Sequence, residues 1–128
     1  MVEAEIDAST ERFLQELARG DAVAAASTYD EQAILLPPVG EAVRGRKAIR
    51  SFWQSGIEIG VRAIELEPLE RGEAGRLVYE VGRYRTVLQQ AEEQPTFEPG
   101  AYVVLLRQEP DGSWLRVVDT FNRAPSRA

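Results

Sequence analysis

The sequence contains at residues 100–122 the segment GAYVVLLRQEPDGSWLRVVDTFN, in which two apolar, β-branched runs flank a short polar turn. Pro110 presets the corner of that turn, and Gly112 is free to adopt a positive φ. The segment therefore predicts an antiparallel hairpin closed by a type I turn with a glycine bulge. This turn pairs Glu109 with Ser113, and the register of the two strands follows by counting outwards from that pair.

Six side chains share one face of the hairpin on this register, and only one of them is polar. They are Val103, Leu105, Leu115, Val117, Asp119 and Phe121. Tyr102 and Trp114 alternate to the opposite face, towards the expected dimer contact. A tighter two-residue loop would change the pairing but leave Asp119 beside Val117 and Phe121, so the exact register stays open. Either way, the hairpin predicts a carboxylate within an apolar stripe.

The chain before the hairpin changes from one periodicity to another. Helical spacing of apolar residues predicts three helices, and a period of two then predicts strands. The predicted helices run from Asp7 or Ser9 to Gly20, over 22–28 and over 47–55; the predicted strands are 33–36, 61–69 and 76–88, with a loop or flap at 89–99. This order indicates an α+β fold with three N-terminal helices laid across one face of a curved antiparallel sheet. Such a sheet encloses space at its open end, where a small molecule fits.

Length and composition are those of one ordinary globular domain over residues 1–128, with 1–8 and 124–128 as ragged tails. The net charge of −6 argues against a nucleic-acid partner. The absence of cysteine and histidine excludes disulfides, Ser-His and Cys-His nucleophiles and most zinc or iron sites. We expect no metal and no cofactor. The sequence shows no signal peptide and no membrane-spanning run, so we expect a cytoplasmic protein without a membrane partner.

Several short motifs resemble the nuclear transport factor 2-like superfamily, and within it the SnoaL-like, ketosteroid-isomerase-like bacterial branch. The motifs are Gly20-Asp21, Tyr29-Asp30-Glu31-Gln32-Ala33, Val43-Arg44-Gly45-Arg46-Lys47-Ala48-Ile49, Phe52-Trp53, Asp111-Gly112-Ser113-Trp114 and Asp119-Thr120-Phe121-Asn122. The resemblance covers about residues 9–123 and rests mostly on scaffold positions. It implies a cone-shaped, cystatin-like α+β barrel with a pocket between helices and sheet. It also implies a homodimer formed through the outer face of the sheet.

The catalytic residues of ketosteroid isomerases do not carry over to this sequence. Their tyrosine donor corresponds to Phe13, their general base to Pro37 (or to Leu36), and their protonated aspartate to Val103. Steroid isomerisation by that mechanism is therefore not expected. SnoaL-like polyketide cyclases place an acid/base aspartate in the last strands, and the resemblance implies that Asp119 is its counterpart.

The candidate catalytic residue is Asp119, with the predicted pocket around it. Burial raises the pKa of a carboxyl group and would make it a base for a carbon-bound proton; the alternative is a paired aspartate that holds the sheet edge closed. The predicted pocket residues are Phe13, Leu17, Tyr29, Leu36, Phe52, Trp53, Tyr79, Val81, Arg83, Val103, Leu105, Val117 and Phe121. Arg83 either faces the pocket, paired with Asp119 or an anionic ligand, or lies at the rim in water. The aromatic members are equally consistent with plain core packing.

Three functions are consistent with this pattern. The first is binding of a small apolar or mixed-polarity molecule, as a carrier or sensor. The second is Asp119-dependent acid/base catalysis of a cyclase, isomerase or dehydratase step on a carbonyl or polyketide-like substrate. The third is a dimerisation or assembly module whose sheet face is the working surface. The sequence leaves open whether the protein is an enzyme.

Overall fold

The computed structural model describes residues 2–124, and it has the expected α+β architecture. Its elements are α1 (Val2–Ala18), α2 (Ala22–Ala26), β1 (Tyr29–Leu36), β2 (Val43–Arg44), α3 (Arg46–Ile59), β3 (Val61–Ala74), β4 (Leu77–Leu88), β5 (Thr96–Gln108) and β6 (Trp114–Arg123). The six strands form one sheet in the order β2-β1-β6-β5-β4-β3. Neighbouring strands are antiparallel, except that β1 runs parallel to β6. The prediction of an α+β fold, with three helices laid across one face of a curved sheet, is confirmed.

The sheet is curved because its long strands contain bulges. The register shifts between Val61 and Ala63 and between Pro68 and Glu70 along β3, and again between Leu105 and Leu106 where β5 meets β6. An extra residue in one strand bends it and increases the local twist. The curved sheet has a concave face, which the helices cover.

The helices pack on this concave face through residues spaced four apart. α1 buries Phe13 and Leu17, and α3 buries Ile49 and Trp53, so each helix turns one apolar stripe towards the sheet. The short helix α2 consists mostly of alanines, whose small side chains allow α1 and α3 to approach. Together these residues form one core, while β4, β5 and β6 form a second core with Ile6.

The N-terminal segment is helical, so the expectation of a ragged tail over 1–8 is wrong for residues 2–8. α1 begins at Val2 rather than at a cap on Asp7 or Ser9. Ile6 is only 1% exposed, because it fills the second core, and tertiary packing therefore stabilises a turn that its polar neighbours did not predict. Ala124 follows the last strand without regular structure. Residues 1 and 125–128, the rest of the expected tails, lie outside the described residues.

Several other helices and strands are longer than predicted. α3 continues four residues past the expected end at Ser55, and β3 continues to Ala74, so the turn falls at Gly75 with φ +63°. β1 begins at Tyr29 rather than at residue 33. The expected loop over 89–99 is shorter as well, because β5 starts at Thr96 and pairs with Leu88.

The predicted turn of the C-terminal hairpin is confirmed. The Glu109 N–H donates to the Ser113 carbonyl oxygen at 2.7 Å, and Gly112 has φ +91°. Beyond the turn, however, Leu106 pairs with Arg116 while Leu105 pairs with Val118, so the strand carries one extra residue at position 117.

This bulge changes which side chains share a face. Tyr102 and Trp114, predicted to point outwards, lie on the concave face with Asp119 and Phe121, and both are about 5–6% exposed. The inward prediction is wrong for Val103, Leu105, Leu115 and Val117, none of which borders the interior hollow.

The same register on β4 corrects three further predictions. Tyr79 pairs with Leu105 and Val81 with Val103, so both lie on the convex face together with Arg83. The concave face of β4 instead carries Val78, Glu80, Gly82 and Tyr84, all of which are buried. Neither face is fully apolar in sequence, so alternation alone did not distinguish them.

Candidate functional site

An interior cavity of about 340 Å³ lies between the helices and the concave face of the sheet. Its walls are mostly apolar, and its polar side chains are few. The exposed residues Val39 and Ile59 lie at its mouth, whereas Phe13, Val104 and Arg116 are almost fully buried at its inner end. Small-molecule sites in proteins have comparable volumes and the same combination of apolar wall and few polar groups.

The structure places the predicted site residues in three groups. Those that border the cavity are Phe13, Phe52, Trp53, Asp119 and Phe121. Leu17 and Tyr29 are fully buried behind the wall, and Leu36 is 40% exposed at the end of β1, where Pro37–Val39 line the mouth in its place. Those that lie on the convex face, away from the cavity, are Tyr79, Val81, Arg83, Val103 and Leu105; Val117 is the unpaired bulge residue and does not border the cavity.

Aromatic rings form a continuous part of the cavity wall. The Phe13 and Trp53 ring centroids are 5.5 Å apart, and Trp53 stacks on Phe121 at 6.3 Å. Phe121 also meets Tyr84 edge to face at 5.6 Å. The rings hold one another in place, so this wall is preformed.

Asp119 is hydrogen-bonded within the cavity wall. The Tyr29 hydroxyl donates to Asp119 Oδ2 at 2.6 Å, and the indole N–H of Trp53 donates to the Tyr29 oxygen at 3.3 Å. Burial raises the pKa of the Asp119 carboxyl group, while the Tyr29 hydrogen bond and the Arg116 charge act in the opposite direction. Burial and the neighbouring carboxylate also raise the pKa of Tyr29 well above its usual value, so its hydroxyl stays protonated. The proton of this hydrogen bond therefore stays on Tyr29, and the Asp119 carboxyl group is the member of the pair that can take up or release a proton.

Arg116 is a buried cation at the inner end of the cavity. Its residue exposure is 4%, and Nη2 donates to Thr10 Oγ1 at 2.9 Å. The guanidinium carbon lies 4.9 Å from the centre of the Phe13 ring, within range of a cation–π contact. Nη1 is buried and has no hydrogen-bond partner in the described part of the chain.

Glu80 is a buried carboxylate whose hydrogen-bonding capacity is already used. Oε1 accepts from Arg71 Nε at 2.5 Å, and Oε2 accepts from the Tyr102 hydroxyl at 2.6 Å. Arg71 also pairs with Asp7 of α1. Burial, followed by the hydrogen bond to Glu80, raises the pKa of Tyr102. This network ties α1 to the sheet.

The expected pairing of Arg83 with Asp119 does not occur. The Arg83 side chain is 71% exposed on the convex face, with Glu67 as its neighbour at 3.8 Å. The cation that faces the cavity together with Asp119 is instead Arg116. The register predicted from the sequence had placed Arg116 on the opposite face. Glu80 and Tyr102 were missed for the same reason.

Strand glycines mark close approaches of aromatic rings on both faces of the sheet. A Cβ at Gly82 or Gly100 would collide with the concave-face rings of Tyr102 and Tyr84 respectively, and a Cβ at Gly72 would collide with the convex-face ring of Tyr79. These glycines therefore do not distinguish the two faces.

Within residues 2–124, no helix is long and apolar enough to cross a bilayer. The same residues contain no group of three or more potential ligand side chains placed to hold a metal ion.

The helix-covered curved sheet has the fold of solved structures that are described as nuclear transport factor 2-like with a cystatin-like fold. More narrowly, the chain belongs to the SnoaL-like domain family, which matches residues 10–123. None of the curated proteins matches the sequence.

Solved structures share the fold at low sequence identity. A ketosteroid isomerase-like protein from Erwinia carotovora atroseptica is 20% identical, with a TM-score of 0.82 and 96% of each chain covered. A protein of unknown function from Mycobacterium tuberculosis is 19% identical, with a TM-score of 0.85 over 96% of this chain and 72% of that one. Aln2 from a Streptomyces species is 15% identical, with a TM-score of 0.84 over 95% and 90%. These likenesses show the fold alone.

Proposed function

We propose that the protein binds a small, largely apolar molecule in its interior cavity. The observation that carries this proposal is the cavity itself, about 340 Å³ within a domain of ordinary size. Protein interiors are otherwise close-packed, so a hollow of this volume is a costly feature to maintain without an occupant. The preformed aromatic wall supplies flat apolar surface, and the few polar groups at the inner end orient a ligand.

A neutral fluorescent probe tests this proposal. Aminoanthracene should bind with saturable enhancement of its fluorescence. Thr86→Trp places a large ring in the cavity and should weaken binding by roughly ten-fold or more, since about 1.4 kcal/mol of lost contact is sufficient. Thr120→Trp is the matched control, because Thr120 pairs with Val103 on the convex face. Equal binding by the two variants would contradict the proposal.

We also propose, as a second function of the same cavity, an acid/base step carried by Asp119. The hydrogen-bonded pair of Tyr29 and Asp119 supports it, because burial raises the pKa of that carboxyl group towards values useful for proton transfer. The substrate class would be a carbonyl or polyketide-like compound that undergoes cyclisation, isomerisation or dehydration. In heavy water, β-tetralone should exchange its acidic carbon-bound protons faster with the protein than without it.

The control for this activity is a second aspartate. Asp119→Asn keeps the acceptor for Tyr29 but removes the base, so exchange should fall to the uncatalysed rate. Asp21→Asn changes the charge equally at the exposed N-cap of α2, where asparagine caps as well as aspartate. Exchange that survives in Asp119→Asn would exclude the acid/base function and leave the binding function standing.

The convex face of the sheet supports a further proposal, a homodimer. Tyr79, Val103 and Leu77 are 36–39% exposed there, and together they present apolar surface that a second copy would cover. Light scattering should give a dimeric mass, and Val103→Glu should shift it towards the monomer. A monomeric mass for the unchanged protein at high concentration would refute the dimer.

A further inference from the structure

The bulge in β6 brings two charged groups onto one face. Arg116 and Asp119 are three positions apart, and in a regular strand side chains at that spacing point to opposite faces. The extra residue, Val117, shifts the alternation of side chains by one position, so the side chains of Arg116 and Asp119 both face the cavity. Bulges near functional sites commonly redirect a side chain in this way.

Arg116 makes no direct ion pair with the protein around it. In the part of the chain that the structure describes, no carboxylate oxygen lies within 4.0 Å of its guanidinium group. Glu80 is committed to Arg71 and Tyr102, and Asp119 accepts from Tyr29. Arg116 donates to one hydroxyl and lies over two aromatic rings, and the charge of Asp119 acts on it from beyond ion-pair distance. Nη1, however, is a buried donor without an acceptor, which is unfavourable, and a ligand in the cavity could supply that acceptor.

We propose that Arg116 receives the carboxylate of the ligand, and hence that the cavity binds apolar monocarboxylic acids. This inference rests on the proposed binding function and names its ligand class. A guanidinium group matches a carboxylate in plane and charge, and Arg116 is held at the cavity by its contact with the Phe13 ring and its hydrogen bond to Thr10. The carboxylates of Glu80 and Asp119, which line the same cavity, oppose a doubly charged group such as phosphate. The acid would lie with its head at the inner end and its apolar body along the aromatic wall.

Matched pairs of an acid and its alcohol test the inference by calorimetry. The probes are β-naphthoate and β-naphthylmethanol, with cinnamate and cinnamyl alcohol as a second pair. The unchanged protein should bind each acid roughly ten-fold or more tightly than its alcohol, because a charged hydrogen-bonded pair contributes more than about 1.5 kcal/mol. Arg116→Met should abolish this preference. Arg123→Met removes the same charge from an exposed residue of the mouth, where Glu98 lies 3.8 Å away, and should retain it.

The outcomes separate this inference from the proposed function. Alcohols that bind as tightly as acids would overturn the carboxylate site and leave cavity binding intact. Loss of the preference in Arg123→Met but not in Arg116→Met would also overturn it. Aminoanthracene binding that is insensitive to Thr86→Trp would remove the cavity function and this inference with it. Should Arg116→Met fail to fold by circular dichroism, the preference of the unchanged protein decides the question, since it needs no variant.

Discussion

Removing the hydroxyl of Tyr29 is the sharpest test of the site geometry. Tyr29→Phe leaves the buried ring and its edge-to-face contact with Phe13 in place and deletes one oxygen. That oxygen donates to Asp119 at 2.6 Å and accepts from Trp53 at 3.3 Å. The substitution therefore isolates the hydrogen bond from the packing.

The expected cost follows from the type of hydrogen bond. A bond to an ionised carboxylate contributes about 1.5–3 kcal/mol to stability, and the bond from Trp53 is long and adds little. We expect Tyr29→Phe to lower the free energy of unfolding by about 2 kcal/mol at neutral pH. For a domain of this length that corresponds to roughly 5–10 °C in Tm.

Asp119→Ala provides the background that makes the test specific. Without the carboxylate, the Tyr29 hydroxyl has no acceptor to lose, so Tyr29→Phe should cost almost nothing in that background. The coupling energy of the double-mutant cycle should be close to the full cost of the single variant. Urea unfolding followed by tryptophan fluorescence measures all four proteins.

The pH dependence of this cost has a definite sign. The Tyr29 hydrogen bond favours the ionised form of Asp119, so its loss raises the pKa of that carboxyl group further. The unfolded chains titrate alike, so the difference between the unchanged protein and Tyr29→Phe should grow as pH rises from the folded pKa of Asp119 in the unchanged protein to its higher folded pKa in Tyr29→Phe. A cost below about 0.5 kcal/mol near pH 8, or the same cost in the Asp119→Ala background, would refute the geometry.

Three other variants test separate parts of the structure. Because burial raises the folded pKa of Asp119, its ionisation destabilises the fold as pH rises through that pKa; Asp119→Asn should therefore become more stable relative to the unchanged protein between about pH 4 and pH 8 in urea titrations, and a constant difference would contradict this. Arg116→Met should lower the free energy of unfolding of the ligand-free protein by about 1–3 kcal/mol, because it removes the hydrogen bond to Thr10 and leaves the buried Asp119 carboxylate without its opposing charge; unchanged stability would contradict this. Gly100→Ala should lower stability by more than about 3 kcal/mol in thermal unfolding, since its Cβ would collide with the Asn122 carbonyl oxygen; a cost below about 1 kcal/mol would show that the strands separate easily there.

The sequence was informative about the fold because several local signals agreed. The Pro110-Asp111-Gly112 turn, the helical stripes and the family motifs all predicted the same α+β domain, and the turn forms as expected. Such agreement between local and global preference is what makes a fold predictable. The N-terminal helix was the exception, because Ile6 is the single core residue of its first turns and gave no periodic pattern.

The candidate site was less predictable, because the bulge residue Val117 determines which side chains of the hairpin face the cavity. Valine is a normal strand residue, and nothing in Val117-Val118 marks a bulge in the way that a glycine would. The consequence was an exchange of faces: Asp119 and Phe121 were placed in the interior, but with the wrong neighbours. Buried charges such as Arg116 are also poor targets for prediction, because charged side chains are rarely inside unless they are paired.

Two features of the interior act against stability, and both belong to the same place. A hollow of about 340 Å³ leaves its apolar lining without packing partners. The unpartnered Nη1 of Arg116 adds a cost at its inner end. A single larger side chain would reduce the first cost, and an acceptor for Nη1 would remove the second. An apolar acid would offset both costs, because its apolar body would fill the cavity and its carboxylate would pair with Arg116. Binding would then restore in one step the stability that the empty interior lacks, and that linkage predicts an increase in Tm that grows with the concentration of a bound acid.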